Sequence, residues 1–176
     1  VVVDAQRMPE LAERYGVKSV PVTVLDRGLA LTGQTTADEL TELVLAREQE
    51  DFDRRVFQSL VECGRFEDAA AMIAAGRGGE HFITAWGKSA VSERMGLMLT
   101  AERVLADNPA GLQGLVERLL PFLDAEDAAL RGDTADLLGQ IGDPRALEGL
   151  RRLLSDPNPD VAEIAAEAVE AIGATD

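Results

Sequence analysis

The last third of the chain repeats itself, and this repeat restricts the fold more than any other feature. Residues 130–142 align with residues 161–173 at an offset of 31 residues. Each copy combines an apolar helical pattern with a closing glycine. Ahead of the two copies, residues 114–120 correspond to residues 149–154. A fixed period in this range is typical of a solenoid, in which each helical hairpin buries its apolar face against its neighbours.

The residues of the repeat carry a recognisable pattern. Residues 142–156 follow Gly-Asp-Pro-x-Ala-Leu-x-x-Leu-x-x-Leu-Leu-x-Asp, and residues 160–173 follow Asp-Val-x-x-x-Ala-Ala-x-Ala-Val-x-x-Ile-Gly. This pattern resembles HEAT-like repeats, and the resemblance covers roughly residues 107–173. It implies an all-helical array that binds protein partners along an extended surface rather than catalysing a reaction.

Residues 1–47 alternate strand and helix signals instead. Residues 1–4 are typical of a buried strand, and Pro9 fits the first turn of a helix that Gly16 ends. Two further strands are predicted at residues 22–25 and 29–32, joined by a short hairpin turn. This part of the chain therefore belongs to the α/β class, whereas the rest is predicted to be all-α.

A capping box predicts the next helix. Thr36 and Glu39 have the spacing in which each side chain accepts a hydrogen bond from the other's backbone N–H. The helix is expected to continue to about Arg47. Its apolar side chains are expected to face inward: Leu40, Leu43 and Val44.

A proline stands where a run of β-branched residues begins, in Gly-Val-Lys-Ser-Val-Pro-Val-Thr-Val-Leu at residues 16–25. Because proline removes a donor from the strand ladder, it is tolerated best at the start of a strand, often with a cis peptide bond. The order strand, helix, Gly-Val-x-x-Val-Pro, strand, strand, helix resembles the second half of a thioredoxin fold. The resemblance implies a partial β-α-β-β-α thioredoxin-like module in residues 1–47 that lacks its N-terminal β-α-β half.

The thioredoxin-like resemblance also implies a binding site. The Val20–Pro21 bond would be cis, and Val20 and Pro21 would bind substrate, with the backbone of Val20 pairing with a bound peptide or disulfide. The alternative is that Pro21 is a turn proline that only shapes the fold. An open edge of the sheet would have to be covered by preceding residues, by a second copy of the chain in a homo-oligomer, or by the helices after residue 48.

The sequence offers no residue for thiol–disulfide catalysis. Such catalysis needs a thiolate with a lowered pKa, normally from Cys-x-x-Cys at a helix N-terminus. Cys63 is the only cysteine, and it ends an apolar helix pattern beside Glu62, which favours a buried thiol with a raised pKa. The chain could act as a thiol–disulfide oxidoreductase only with a Cys-x-x-Cys upstream of Val1, and otherwise it is a redox-inactive adaptor or scaffold.

Strand signals end at residue 48. Helices are predicted at residues 52–61 and 66–75, and a third helical region at residues 82–105, with an interruption near Gly87 or Gly96. Trp86, Phe82 and Met95 are expected in its core. The sequence therefore divides into three parts: a thioredoxin-like module in 1–47, a helical connecting region in 48–106 and HEAT-like repeats in 107–176.

The charge balance restricts the partners. The chain has 17 Lys and Arg against 32 Asp and Glu, and residues 107–176 alone hold 5 basic and 15 acidic side chains. Such a surface repels nucleic acids and anionic membranes, since affinity for both depends on Lys and Arg. A basic or hydrophobic protein partner is the natural complement. The single cysteine and the lack of a bilayer-spanning apolar run favour a cytoplasmic location.

The remaining motifs favour structural roles, and no cofactor or metal is expected. The acidic clusters at 124–127 and 156–160 could hold Ca²⁺, but such residues more often cap helices and solvate turns. His81 is the only histidine, and Arg-Gly-Asp at 131–133 falls inside a predicted helix. One further alternative comes from another class of protein, because short HEAT-like repeats resemble those of phycobilin lyases, which attach prosthetic groups.

Overall fold

Helices dominate the computed structural model, which describes residues 4, 6–14, 17, 20–24, 30–46, 51–88 and 91–173. The first part holds α1 (Pro9–Arg14), β1 (Val22–Val24), β2 (Ala30–Thr32) and α2 (Ala37–Ala46). The middle holds α3 (Phe52–Glu62), α4 (Phe66–Ala74), α5 (Gly79–Trp86) and α6 (Val91–Asp107). The last part holds α7 (Val116–Leu119), α8 (Ala128–Ile141), α9 (Leu147–Leu153) and α10 (Pro159–Gly173). Short 3-10 turns lie at Gln113–Leu115, Leu120–Asp124 and Pro144–Ala146.

The predicted repeat is present, with one correction to its register. Helices α8 and α10 begin 31 residues apart, as the alignment predicts. Helices α7 and α9 also begin 31 residues apart, and so do the 3-10 turns before them. The alignment of residues 114–120 with 149–154 is therefore wrong, because it matched leucines across different turns of the helix.

Two glycines shape the contact between the repeats. A Cβ atom added to Gly139 would lie 2.8 Å from the Cβ of Ala168, so only glycine allows α8 and α10 to approach this closely. Gly142 ends α8 with φ of 72° and its N–H donates to the carbonyl of Leu138. Glycine adopts this left-handed conformation without steric strain, and a glycine after an apolar helical pattern therefore predicts the end of the helix.

The helices from α3 onward share one core. Helix α4 packs against α6, α6 against α8, and α8 against α10, while α3 packs against α5. The indole N–H of Trp86 donates to the hydroxyl of Thr134 over 3.0 Å, at a buried position. Buried Arg94 of α6 pairs with Asp133 of α8 at 2.6 Å and with Asp127 at 3.3 Å. The packing is thus continuous across residue 107, where the sequence suggested a boundary.

The middle helices agree with their predictions, apart from one side chain. The third helical region is interrupted after Gly87, and α6 then runs through Gly96. Trp86 and Phe82 are fully buried, but Met95 is 63% exposed. The prediction for Met95 is wrong because it lies on the side of α6 opposite the buried apolar residues, which are Leu97, Ala101 and Val104.

The described residues of the first part show one helix, two strands and a second helix in the predicted order, but not the predicted fold. Strands β1 and β2 pair antiparallel, with Val22 opposite Thr32, and α1 precedes them. The predicted strand at residues 1–4 and the turn at 26–28 lie outside the described residues, apart from Asp4. In the described ranges the only strand pairing is that of β1 with β2, and a thioredoxin-like α/β fold is not shown.

The predicted start of α2 is confirmed, but the prediction that its apolar side chains face inward is not. The Thr36 N–H donates to the Glu39 carboxylate at 2.7 Å, and the Glu39 N–H donates to the Thr36 hydroxyl at 3.2 Å. Leu40 and Val44 are exposed to 36% and 41%, so the prediction that they face inward is wrong for both, and the side chain of Leu43 lies outside the described residues. The capping box is local, whereas burial needs a neighbouring element, and among the described residues α2 packs mainly on α3.

Candidate functional site

The two residues predicted to bind substrate, Val20 and Pro21, lie immediately before β1. The Val20–Pro21 peptide bond is cis, in agreement with the prediction. Both side chains are exposed, that of Val20 to 70%, and the carbonyl of Pro21 accepts a hydrogen bond from the N–H of Gly33 at 2.9 Å. Val20 is therefore accessible to a partner, and whether it binds one stays a prediction.

Cys63 follows α3 as its C-terminal capping residue and is exposed, so the expectation of a buried thiol is wrong. Its pKa is nevertheless raised, first by partial burial of the thiol and next by a hydrogen bond with the Glu39 carboxylate and its charge. The prediction that a neighbouring acid raises this pKa is correct, but the main acid is Glu39 of α2 rather than Glu62. A protonated thiol is a poor nucleophile, which argues against redox chemistry at Cys63.

The two acidic clusters cap helices and hold arginines. Asp127 caps α8 by accepting the N–H of Ala129 at 3.0 Å. Nearly buried Asp156 accepts two hydrogen bonds of 2.8 Å from Arg131, and this pairing lowers the pKa of its carboxyl. The Arg-Gly-Asp tripeptide at 131–133 lies within α8, as the sequence predicted. Among the described residues no group of three or more His, Cys, Asp or Glu is placed to hold a metal ion.

Arginines neutralise the acids on one side of the repeat, which carries α7, α9 and their 3-10 turns. Arg145 pairs with Asp143 at 2.7 Å and with Glu117 at 3.4 Å, and the hydrogen bond from Arg145 lowers the pKa of Asp143. Arg152 of α9 pairs with Asp124 at 3.2 Å. Arg118 of α7 pairs with Glu80 of α5. We call this side the arginine side.

The exposed side of α10 has the opposite character. Glu163, Glu167 and Glu170 are exposed along α10 at helical spacings of four and three residues, while Val161 and Ala165 face the core. Helix α10 contains no Lys or Arg. In α8, the positions 31 residues before Glu163 and Glu170 are Gly132 and Gly139, which pack against α10. The exposed glutamate surface therefore belongs to α10, and we call these three side chains the acidic face.

The acidic face was not singled out in the sequence, although its signals are present there. The regional excess of acid was evident, but not its distribution between the two sides of the repeat. The helical spacing of three glutamates in α10 would have located it. Within the part of the chain that the structure describes, these three carboxylates have no Lys, Arg or His within ion-pairing distance.

Comparisons with known proteins agree with the helical part. A family model described as HEAT repeats matches residues 116–176. This confirms the predicted HEAT-like array over those residues, while the thioredoxin-like half of the prediction has no support. HEAT repeats commonly mediate protein interactions, so the match indicates an interaction or scaffold role. A search among curated proteins finds no match to the chain. In the described residues, every helix is too short or too polar to cross a bilayer.

Proposed function

We propose that this chain is a protein-interaction protein whose acidic face binds a Lys- or Arg-rich segment of a partner protein. The observation that carries the proposal is the contrast between the two sides of the repeat. Arginines are paired with acids on the arginine side, whereas α10 presents three exposed glutamates and no basic residue. A surface of one sign attracts a partner of the other sign and raises the rate of encounter, by about 10-fold or more at low salt.

The charge of the surface also supports a protein rather than a nucleic acid as partner. Phosphate backbones are bound by cationic side chains, and the acidic face has none. A second copy of this chain is a weaker candidate for this surface, because two acidic faces repel each other. A homo-oligomer formed through another surface is compatible with the proposal, and so is a cytoplasmic location.

The test uses a fluorescently labelled peptide of alternating Lys and Ala, titrated with the protein and followed by anisotropy. The E163K/E167K variant reverses two charges of the acidic face, and E42K/E148K makes the same change in net charge on α2 and α9. Glu42 and Glu148 are exposed. We expect E163K/E167K to weaken binding by about 10-fold or more and the control by about threefold or less. Equal losses in both variants would mean that only net charge matters, and would overturn the proposal.

Two further measurements strengthen this test. Affinity should fall steeply as NaCl rises from about 0.05 M to about 0.5 M, because salt screens exposed charges beyond a Debye length. A cellular partner that co-purifies with the unmodified chain should be lost with E163K/E167K and retained with E42K/E148K. Its binding segment should be rich in Lys or Arg, and a partner bound through an acidic or wholly apolar segment would contradict the proposal.

We propose as a second candidate that the first part is a thioredoxin-like module of a thiol–disulfide oxidoreductase, active only with paired cysteines upstream of Val1. The order of α1, β1, β2 and α2 and the exposure of Val20 favour it. The test is intact mass spectrometry of the natural protein before and after reduction and alkylation. Two or more alkylated cysteines beyond Cys63 would support the module, and a single alkylated thiol would leave a redox-inactive adaptor.

The domain organisation is part of the same proposal. We keep 1–47 as a thioredoxin-like module, 48–106 as a helical connecting region and 107–176 as HEAT-like repeats. The contacts of Trp86 with Thr134 and of Arg94 with Asp133 support joint rather than independent folding of the last two parts. Limited proteolysis should therefore cut between residues 1–47 and the helices before it separates the two helical parts.

A further inference from the structure

A groove lies between α3 and α5, on a part of the molecule that the acidic face does not include. Its volume is about 390 Å³, and it is partly open to solvent. Four apolar side chains line it: Phe57, Val61, Ala85 and Leu97. The volume falls in the range of about 300 to 1,000 Å³ that is typical of small-molecule sites. The apolar lining and the size favour an aliphatic or aromatic group over a small ion.

The polar residues of the groove are cationic on balance, in a protein whose net charge is −15. Arg54 and Lys88 lie in its lining against a single acid, Glu62. Glu62 already accepts a hydrogen bond of 2.8 Å from Gln58. A ligand with a negative charge is therefore favoured here, although the protein as a whole disfavours one.

Lys88 is the better placed of the two cations to bind a ligand. Arg54 is already paired with Asp51. Lys88 has an exposed side chain and, among the described residues, no ion pair. It follows the last turn of α5, where its N–H donates to the carbonyl of Ala85 at 3.0 Å. Its ammonium group can therefore meet an anion at the end of the groove without breaking an existing contact.

His81 adds a neutral polar group. It lies over Phe57 with ring centroids 6.5 Å apart, and burial lowers the pKa of its imidazole. The charges of Asp53 and Glu80 act to raise this pKa and that of Arg54 to lower it, so burial decides the direction. A neutral imidazole beside apolar side chains can donate one hydrogen bond to a ligand without adding charge.

We infer that this groove binds a small amphipathic carboxylate, with the apolar chain against Val61 and Ala85, above the buried Phe57 and Leu97, and the carboxylate at Lys88. Apolar burial supplies the attraction, since the lining side chains exclude water from the ligand chain. The charged contact sets the orientation and the preference for an anion. The inference is independent of the proposed function, because it uses other helices and a ligand of opposite charge.

The test compares three probes with one chain length: decanoate, decanol and decyltrimethylammonium, each below its aggregation concentration. Calorimetric titration of the full chain should show decanoate binding at one site, decanol more weakly, and the cation weakest. Replacing Lys88 by Glu should weaken decanoate by about 10-fold, as expected for loss of a charge-assisted contact and its replacement by repulsion. The effect on decanol should be small.

Three variants make the result specific. R151E makes the same charge change as K88E on α9, where Arg151 is exposed and outside the groove, and it should leave decanoate binding within about twofold. A85F fills the groove and should abolish binding of decanoate and decanol alike. K88Q provides a neutral variant should K88E unfold, with an intermediate loss expected. Equal affinity for the anionic and cationic probes, or decanoate binding unaffected by both A85F and the Lys88 variants, would overturn the inference.

Discussion

Residues 4–46 and residues 51–173 differ in what holds their elements in place. In the helical part, a continuous set of buried side chains extends from Phe52 to Ile172. In the first part, Leu31 is the only fully buried hydrophobic side chain among the described residues, and β2 packs against α4. Exposed apolar side chains concentrate there instead, with Val20, Val44 and Leu45 each more than a third exposed. The helical part therefore forms a core of its own, whereas the elements of the first part are held in place by few buried contacts.

The comparison teaches that local signals and burial are separate properties of a sequence. The capping box of α2 forms with both hydrogen bonds, although the apolar residues Leu40 and Val44 remain exposed. In α8 and α10, helical signals and burial coincide, because each repeat provides the other with an apolar face. Variants placed in both parts can break or sharpen this contrast.

The largest effect is expected for removal of a core side chain. Leu137 of α8 is fully buried, and L137A should lower the free energy of unfolding by about 3 kcal/mol through lost apolar burial and a cavity. The same change at exposed Leu40, L40A, should cost less than about 0.5 kcal/mol. Urea unfolding followed by circular dichroism measures both. Similar losses would mean that α2 is packed against a further surface in solution, and the contrast would fail.

The next effect concerns the join between α6 and α8. Arg94 has only 3% of its side chain exposed and pairs with Asp127 and Asp133. We expect R94A to cost about 2 kcal/mol, since it removes a buried side chain together with its charge-assisted hydrogen bonds to Asp133 and Asp127. Arg103 of α6 and Glu67 of α4 form an exposed ion pair, and R103A should therefore cost only about 0.5 kcal/mol or less.

The unfolding curve of R94A also tests the continuity of the core. If the middle helices and the repeats unfold as one unit, the variant should keep a single transition at lower urea. Two separate transitions would show that residues 51–106 and 107–173 are distinct folding units, and the proposed boundary near residue 107 would then be a true domain boundary.

A smaller effect is expected within the repeat. Asp156 is nearly buried and its pKa is lowered by Arg131, so ionised Asp156 stabilises the folded state above its ordinary pKa of 3.8. This contribution is lost as the pH falls through the lowered folded pKa. D156N should have a lower melting temperature than the unmodified chain at neutral pH. Its melting temperature should also fall less when the pH is lowered. D124N, in the exposed pair with Arg152, should leave the melting temperature unchanged, and equal shifts would contradict the role of burial.

The sequence predicts those features whose partners are near in the chain or related by the repeat. The 31-residue period, the glycine that ends α8 and the Thr36–Glu39 capping box are of this kind, and the structure has these three, while Gly16 lies outside the described residues. The pairing of Trp86 with Thr134 joins residues 48 apart, and no local pattern indicates it. Periodicity gave each helix an apolar face but not its neighbour, which is why Met95 and Leu40 were placed in the core.

The candidate sites divide in the same way. The acidic face follows from the spacing of glutamates along α10, so sequence reasoning could have found it. The groove between α3 and α5 depends on how Phe57 and His81 meet across two helices, and its net positive charge is hidden by the acidic composition. Composition averages over surfaces, whereas binding depends on the few side chains that one surface brings together.

The smallest effect is expected from the single histidine. Burial lowers the pKa of His81 below its ordinary value of 6.5, so the unfolded chain binds this proton more readily than the folded chain. The free energy of unfolding should therefore fall as the pH drops through 6.5. In H81Q this slope should flatten, because the difference in proton binding between the folded and unfolded chain at residue 81 is then removed. Melting temperatures between neutral pH and about pH 5.5 measure it, with L40A as a control that keeps the slope. An unchanged slope in H81Q would mean that His81 is solvated in solution, and the helical part would then be less tightly closed around α5 than its core implies.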